Sequence, residues 1–111
     1  MVIISGTIYV RPGRREAFVA ASMEAVTAAR SSPGCLDFVV AADPIEADRV
    51  NVYEQWESEA QLEAFRGDGP GGELTSDVVK ADVSRHQVSS SGPASTRSCS
   101  ACGSSEPAAS S

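Results

Sequence analysis

Residues 49–62 change their repeat from two to about 3.6 within a few positions. Val50, Val52, Glu54 and Trp56 alternate with Asn51, Tyr53 and Gln55, as on a pleated strand whose two faces meet different surroundings. Ser58 then matches a helix N-cap and Gln61 its partner in a capping box, just ahead of the apolar positions Leu62 and Phe65. A strand that runs straight into a capped helix must lay that helix against its own sheet, which confines the chain to a layered α-and-β architecture. The junction also puts one carboxylate, Glu54, and the single tryptophan, Trp56, on the same strand face. They stand beside a helix start whose dipole favours negative charge. Such a pattern fits a pocket wall, and it fits an ordinary sheet–helix corner equally well.

The rest of the folding unit follows the same alternation of periods. Residues 2–10 read as a strand, with Val2, Ile4, Gly6, Ile8 and Val10 on one side and Ile3, Ser5, Thr7 and Tyr9 on the other. Pro12-Gly13 is a turn signal, and residues 14–31, rich in alanine and free of Gly and Pro, form a helix. Its apolar face is expected to be Phe18, Ala21, Ala25 and Ala29 with Val26 alongside, small enough for close packing on a sheet. Pro33-Gly34 ends that helix, residues 35–42 form a second strand, and residues 43–48 are a connection of hairpin length to the third. After the second helix, residues 58–66, the glycine-rich 67–72 break the chain as a linker or a flexible lid. Residues 73–80 read as a short third helix carrying Leu74, Val78 and Val79, and residues 81–88 as the last strand.

The order β-α-β-β-α-β predicts an α+β, ferredoxin-like fold with a four-stranded antiparallel sheet and two helices on one face. The strands read as apolar on both sides, so the uncovered face is expected to meet a second copy of itself in an isologous dimer. Residues 89–111 contain no Leu, Ile, Val or aromatic residue and cannot bury enough surface to offset their ordering entropy. The domain is therefore residues 1–88, followed by a disordered Ser/Gly/Pro-rich tail at 89–111.

Charge and cysteines narrow the function classes. A net charge of −6 without a Lys/Arg cluster disfavours nucleic acid and anionic membrane surfaces as partners. No apolar run approaches the roughly 20 residues that span a bilayer, and the N-terminus lacks a basic leader, so a cytoplasmic location is expected. Cys35 reads as a small core residue. Cys99 and Cys102 supply half of a tetrahedral zinc set, with His86 outside finger spacing, and are read as incidental.

Residues 9–18 (YVRPGRREAF), 32–36 (SPGCL), 48–49 and 53–58 (YEQWES) together resemble the antibiotic biosynthesis monooxygenase (ABM) domain family. That family includes quinol monooxygenase-like proteins and has the dimeric α+β barrel fold. The resemblance covers residues 2–66 well, 67–88 loosely and the tail not at all. It implies a cofactor-independent monooxygenase that oxidises a quinol-like or aromatic polyketide substrate with O2. No GxGxxG, P-loop or metal-spaced His/carboxylate motif stands in the sequence, so no cofactor is expected. The catalytic candidates are Glu54, as a base, and His86, whose unperturbed pKa lies near neutrality. Trp56, Phe65 and Phe38 are the candidates for binding the substrate, with Trp56 able to stack on a flat ring.

Blander roles stand beside these. Glu54 has Arg49, Arg66 and Arg85 as available ion-pair partners, Trp56 suits a core anchor, and His86 suits an exposed position. Tyr53, with Asn51 and Gln55, faces the side expected to meet the dimer partner. Haem-degrading relatives carry an asparagine on the first strand and a histidine in or after the second helix. Gly6 and the glycine-rich 67–72 stand in those regions here, so haem chemistry is not expected. The rival reading is a non-catalytic dimeric ABM-fold protein that binds a small ligand or acts as a scaffold.

Overall fold

The computed structural model describes residues 1–67 and 76–95. Six elements follow one another: β1 (Val2–Val10), α1 (Arg15–Arg30), β2 (Cys35–Ala42), β3 (Arg49–Trp56), α2 (Glu59–Arg66) and β4 (Val78–Gln87). The sheet order is β2-β3-β1-β4 and every neighbouring pair is antiparallel. This is the ferredoxin-like arrangement, with both helices on one face. The expected bounds of β1, β2 and β3 are those observed.

Register decides which side chains share the helix-covered face. Val2 pairs with Trp56 and Ile4 with Glu54, and Phe38 pairs with Glu54 from the other side. Partners opposite one another in an antiparallel ladder point the same way. That face holds the core: Val2, Ile4, Phe38 and Trp56 against Val26 and Ala29 of α1 and Leu62 of α2. Val10 and Val50 meet Phe18 at the far end.

On α1 the buried positions are Phe18, Ser22, Val26 and Ala29, whereas Ala21 is exposed. Ser22 takes the place expected of Ala21 because its hydroxyl donates to the Phe18 carbonyl at 2.9 Å, leaving no polar atom to be desolvated unpaired. Ser58 caps α2 by accepting the Gln61 N–H at 3.2 Å, and its own hydroxyl donates to Gln61 Oε1 at 3.0 Å.

A third helix over residues 73–80 is not formed. Residues 73–75 lie outside those described, but Val78–Lys80 open β4, which starts three positions earlier than expected. The Arg11 N–H donates to the Asp77 carbonyl at 2.9 Å and Val10 pairs with Val78, so an available ladder captured two adjacent β-branched residues. Arg11 and Arg14 both grip the Asp77 carboxylate, at 2.8 and 3.2 Å, and hold it below the usual carboxylate range.

The uncovered face is less apolar than expected. Ile3, Tyr53 and Val39 share it with Ser5, Thr7, Asn51, Gln55, Lys80, Asp82, Ser84 and His86, as the register dictates. Polar groups there bond locally, as Tyr53 does to Gln55 Oε1 at 2.9 Å. Beyond Val78, β4 is exposed throughout. Of the cysteines, Cys35 is half-buried against the core, while Cys99, Cys102 and most of the tail lie outside the described residues.

Candidate functional site

The alternation of β3 turns Glu54 inward among apolar neighbours, where it is 7% exposed. A carboxylate there needs partners for both oxygens. The Trp56 indole N–H donates to Oε1 at 3.1 Å, from two residues along the same strand face. The other oxygen, Oε2, lies 3.5 Å from an Arg66 guanidinium nitrogen in the last turn of α2. The two contacts differ in kind: the indole is fully enclosed, whereas the Arg66 side chain is 45% exposed.

Three rings stand around this carboxylate. Phe65 tilts against Trp56 with centroids 5.5 Å apart, and meets Phe38 edge-on at 5.8 Å. Trp56 and Phe38 are buried, and Phe65 alone of the three keeps an accessible edge. Cys35 packs against the same cluster. Burial, and next the Glu54 charge, raise its thiol pKa and hold it protonated.

The structure thus brings together four of the five residues singled out in the sequence: Glu54, Trp56, Phe65 and Phe38. His86 is not among them. It pairs with Ile3, one position off the Ile4–Glu54 row, so it projects from the opposite face and is exposed. The sheet separates it from Glu54. Of the three arginines available to Glu54, Arg66 is the one used. Arg85 instead bridges Glu59 and Glu63 of α2, and Arg49 joins Asp43 and Glu46.

Two features had no counterpart in the sequence reading. Asp43 closes the β2–β3 connection, accepting the N–H groups of Ile45 and Glu46 and the Asn51 amide at 2.9–3.0 Å. The Asn51 bond foremost lowers its pKa to about 2. An Asp followed by a short turn was the available signal. A shallow depression of about 250 Å3 lies beside β2, lined by Arg30, Cys35, Leu36 and Asp37, and Glu54 does not line it. Among the described residues, no three His, Cys, Asp or Glu side chains are grouped to hold a metal ion, and no helix is long and apolar enough to cross a membrane.

A ferredoxin-like α+β domain with a buried, aromatic-flanked carboxylate between sheet and helices is the class this fold and site define. The family model described as antibiotic biosynthesis monooxygenase matches residues 1–69, and the chain belongs to that family. Solved structures agree on the fold. A candidate antibiotic biosynthesis monooxygenase of Deinococcus radiodurans is 18% identical with a TM-score of 0.71, covering 84% of this chain and 97% of its own. One from Chloroflexus aurantiacus is 26% identical with a TM-score of 0.65, covering 82% and 96%. An uncharacterised protein of Synechocystis is 31% identical over 62 residues, 56% of this chain and 42% of the relative, so the chain matches under half the length of that protein.

Proposed function

We propose that the chain is a cytoplasmic, cofactor-independent monooxygenase that oxidises a quinol-like or polyketide-type aromatic with O2, using Glu54 as the base. The observation that carries this reading is the asymmetry at Glu54. One oxygen is pinned by a buried indole, while the other is held at 3.5 Å by a half-exposed arginine, whose movement would open it to a ligand. A quinol hydroxyl would pass its proton to Oε2, and the resulting electron-rich anion can donate an electron to O2. Where a ring CH2 becomes a carbonyl, the second oxygen atom leaves as water and the substrate itself supplies all the electrons. The protein has only to take the proton, hold the anion and exclude bulk water. Phe65 offers the substrate ring an aromatic edge, with Trp56 and Phe38 behind it as supports.

The test is O2 consumption in metal-free buffer over a panel of quinols and anthrones. Glu54→Gln is expected to lower turnover about 10²–10⁴-fold, the usual share of a general base. His86→Ala, on the other sheet face, is expected to keep most of it. Equal rates for wild type and Glu54→Gln would remove Glu54 from the chemistry. Absence of turnover with aromatic ligands still bound would favour the rival, a non-catalytic binding or scaffold protein. Trp56 supports that rival, since it is fully enclosed and offers no face for stacking.

The same proposal includes assembly. Ile3, Val39 and Tyr53 on the uncovered face would pair with a second copy in an isologous dimer. The domain would end at Val88, with 89–111 as a disordered tail. Sizing chromatography of the full chain, before and after limited proteolysis, reads both. A dimer that survives trimming to about Val88 is expected; a monomer at micromolar concentration, or a tail that resists protease, would contradict the respective part.

A further inference from the structure

We propose that α2 is a hinged flap over Glu54 and that Arg85, on β4, is its electrostatic latch, so that the site opens more readily as ionic strength rises. That a substrate uses this opening rests on the reading above; the movement of α2 does not.

Register places the latch. Phe38, Glu54, Ile4 and Arg85 stand opposite one another across β2, β3, β1 and β4, and Cys35, Trp56, Val2 and Gln87 form the adjoining row. Side chains along such a row point to the same face. Both rows thus run from the aromatic cluster to a polar side chain of β4 on the helix-covered side. β3 and β4 lie two strand spacings apart, roughly 10 Å, about the width of one helix. α2 spans that gap: Leu62 and Phe65 pack with Trp56, while Glu59 and Glu63 reach Arg85. The Arg85 guanidinium bonds Glu59 and lies 2.9 Å from Glu63, and the Gln87 amide donates to Glu59 at 2.8 Å. Arg85 foremost, then Gln87, hold the Glu59 carboxyl below its usual range.

Glu54 is 7% exposed, so a ring-sized ligand reaches its carboxylate only when part of the cover moves. α1 is the firmer part: Phe18, Ser22, Val26 and Ala29 are buried, Arg15 grips the Asp43 and Glu46 carbonyls, and Arg30 that of Phe38. α2 has eight residues, with Leu62 the buried one, and a helix so short depends on its tertiary contacts. Its N-terminus is fixed by the Ser58 cap and by the Glu57 N–H donating to the Gly34 carbonyl at 2.8 Å, and serves as the hinge. Glu59 and Glu63 stand four apart on one helix face, a like-charge pair that works against the helix unless Arg85 neutralises it. The latch is exposed, Arg85 at 35% and the two glutamates at 48% and 55%, so salt screens it. When α2 swings outward it carries Phe65 off Trp56 and Arg66 off Glu54, baring the carboxylate.

The experiment is native-state hydrogen exchange of the full chain, followed by NMR. The sole tryptophan, Trp56, supplies a reporter inside the site, because its indole N–H is bonded to Glu54 Oε1 and exchanges only when the cover opens. Raising NaCl from about 0.01 M to about 1 M shortens the Debye length from about 30 Å to about 3 Å. In the wild type this is expected to speed exchange of the indole N–H and of the α2 amides together, by about threefold to tenfold, the effect of one or two exposed ion pairs. The amides of the β1–β3 ladder should keep their protection. Arg85→Gln should show the faster exchange already at low salt and lose the salt response, and Arg85→Lys should fall between. Acceleration of α2 and the β1–β3 ladder in step would mean general destabilisation and overturns the flap. A salt response in Arg85→Gln as large as in the wild type overturns the latch. If Arg85→Gln does not fold, the wild-type titration decides alone: an indole N–H indifferent to salt overturns the proposal. None of these readings involves turnover, so a latch that behaves as expected in a protein without quinol oxidation would remove the monooxygenase reading and leave this one standing.

Discussion

Trp56→Ala is expected to destabilise the fold by about 3–5 kcal/mol, the range for removing a large buried aromatic. Trp56 is 0% exposed and joins Val2 across the β1–β3 ladder to the rings around Phe65 and to Leu62 of α2. Its loss opens a cavity under α2, a helix of only eight residues that rests on this core through Leu62 and Phe65. The change also strips Glu54 Oε1 of its donor, leaving a buried carboxylate oxygen unpaired. Against a typical total of about 5–15 kcal/mol, this is a large fraction of the stability of a small domain. The midpoint of thermal unfolding should fall by about 12–40 °C, since each kcal/mol moves a domain of this size by roughly 4–8 °C. Trp56→Phe separates the two effects. It keeps most of the ring volume and removes the indole N–H, and should cost about 1–3 kcal/mol. Denaturant titration followed by circular dichroism measures both; a loss below about 1 kcal/mol for Trp56→Ala would mean that Trp56 is not the anchor of the core.

Gly6→Ala is expected to cost about 3 kcal/mol, the upper part of the range for overpacking. A Cβ at this position would fall on the Asp82 carbonyl oxygen and 2.6 Å from Val83 Cα. Both obstacles are backbone atoms of β4, so no side chain can turn aside to make room. The β1–β4 pairing would have to part where Gly6 meets Val83. Gly13→Ala is the control with the opposite cause. Gly13 has φ of 81° but nothing within 4 Å of its built Cβ, so only the left-handed backbone penalty of about 1–2 kcal/mol applies. Equilibrium unfolding ranks the two, and amide exchange along β4 shows where Gly6→Ala acts. If Gly6→Ala proved no worse than Gly13→Ala, with β4 amides still protected, the close approach of β4 to β1 would be refuted.

The element order, three of the four strands to the residue, and the capped start of α2 were legible before any coordinates. Alternation along β1, β2 and β3 reports the pleat directly, and Ser58 with Gln61 marks a helix start by satisfying its own N–H groups. The start of β4 was not legible. Val78 and Val79 suit a helix face or a strand, and the choice was made by the Arg11 N–H and the Asp77 carbonyl, groups far apart in sequence. Ser22 escaped notice for a related reason, since a hydroxyl looks polar until its bond to Phe18 makes it fit for burial.

The candidate site divides along the same line. That Glu54 and Trp56 share a face is a property of β3 alone, because side chains two apart on a strand point the same way. The face on which His86 falls relative to them depends on register between strands, and a slip of one residue would have reversed it. Arg66 was one of three possible partners for Glu54, chosen by how α2 lies across the sheet. The amino-acid order by itself thus determined periodicities, and through them the elements and the family pattern they carry. Packing decided which faces meet, because a strand encodes its own alternation but not the position of its neighbour.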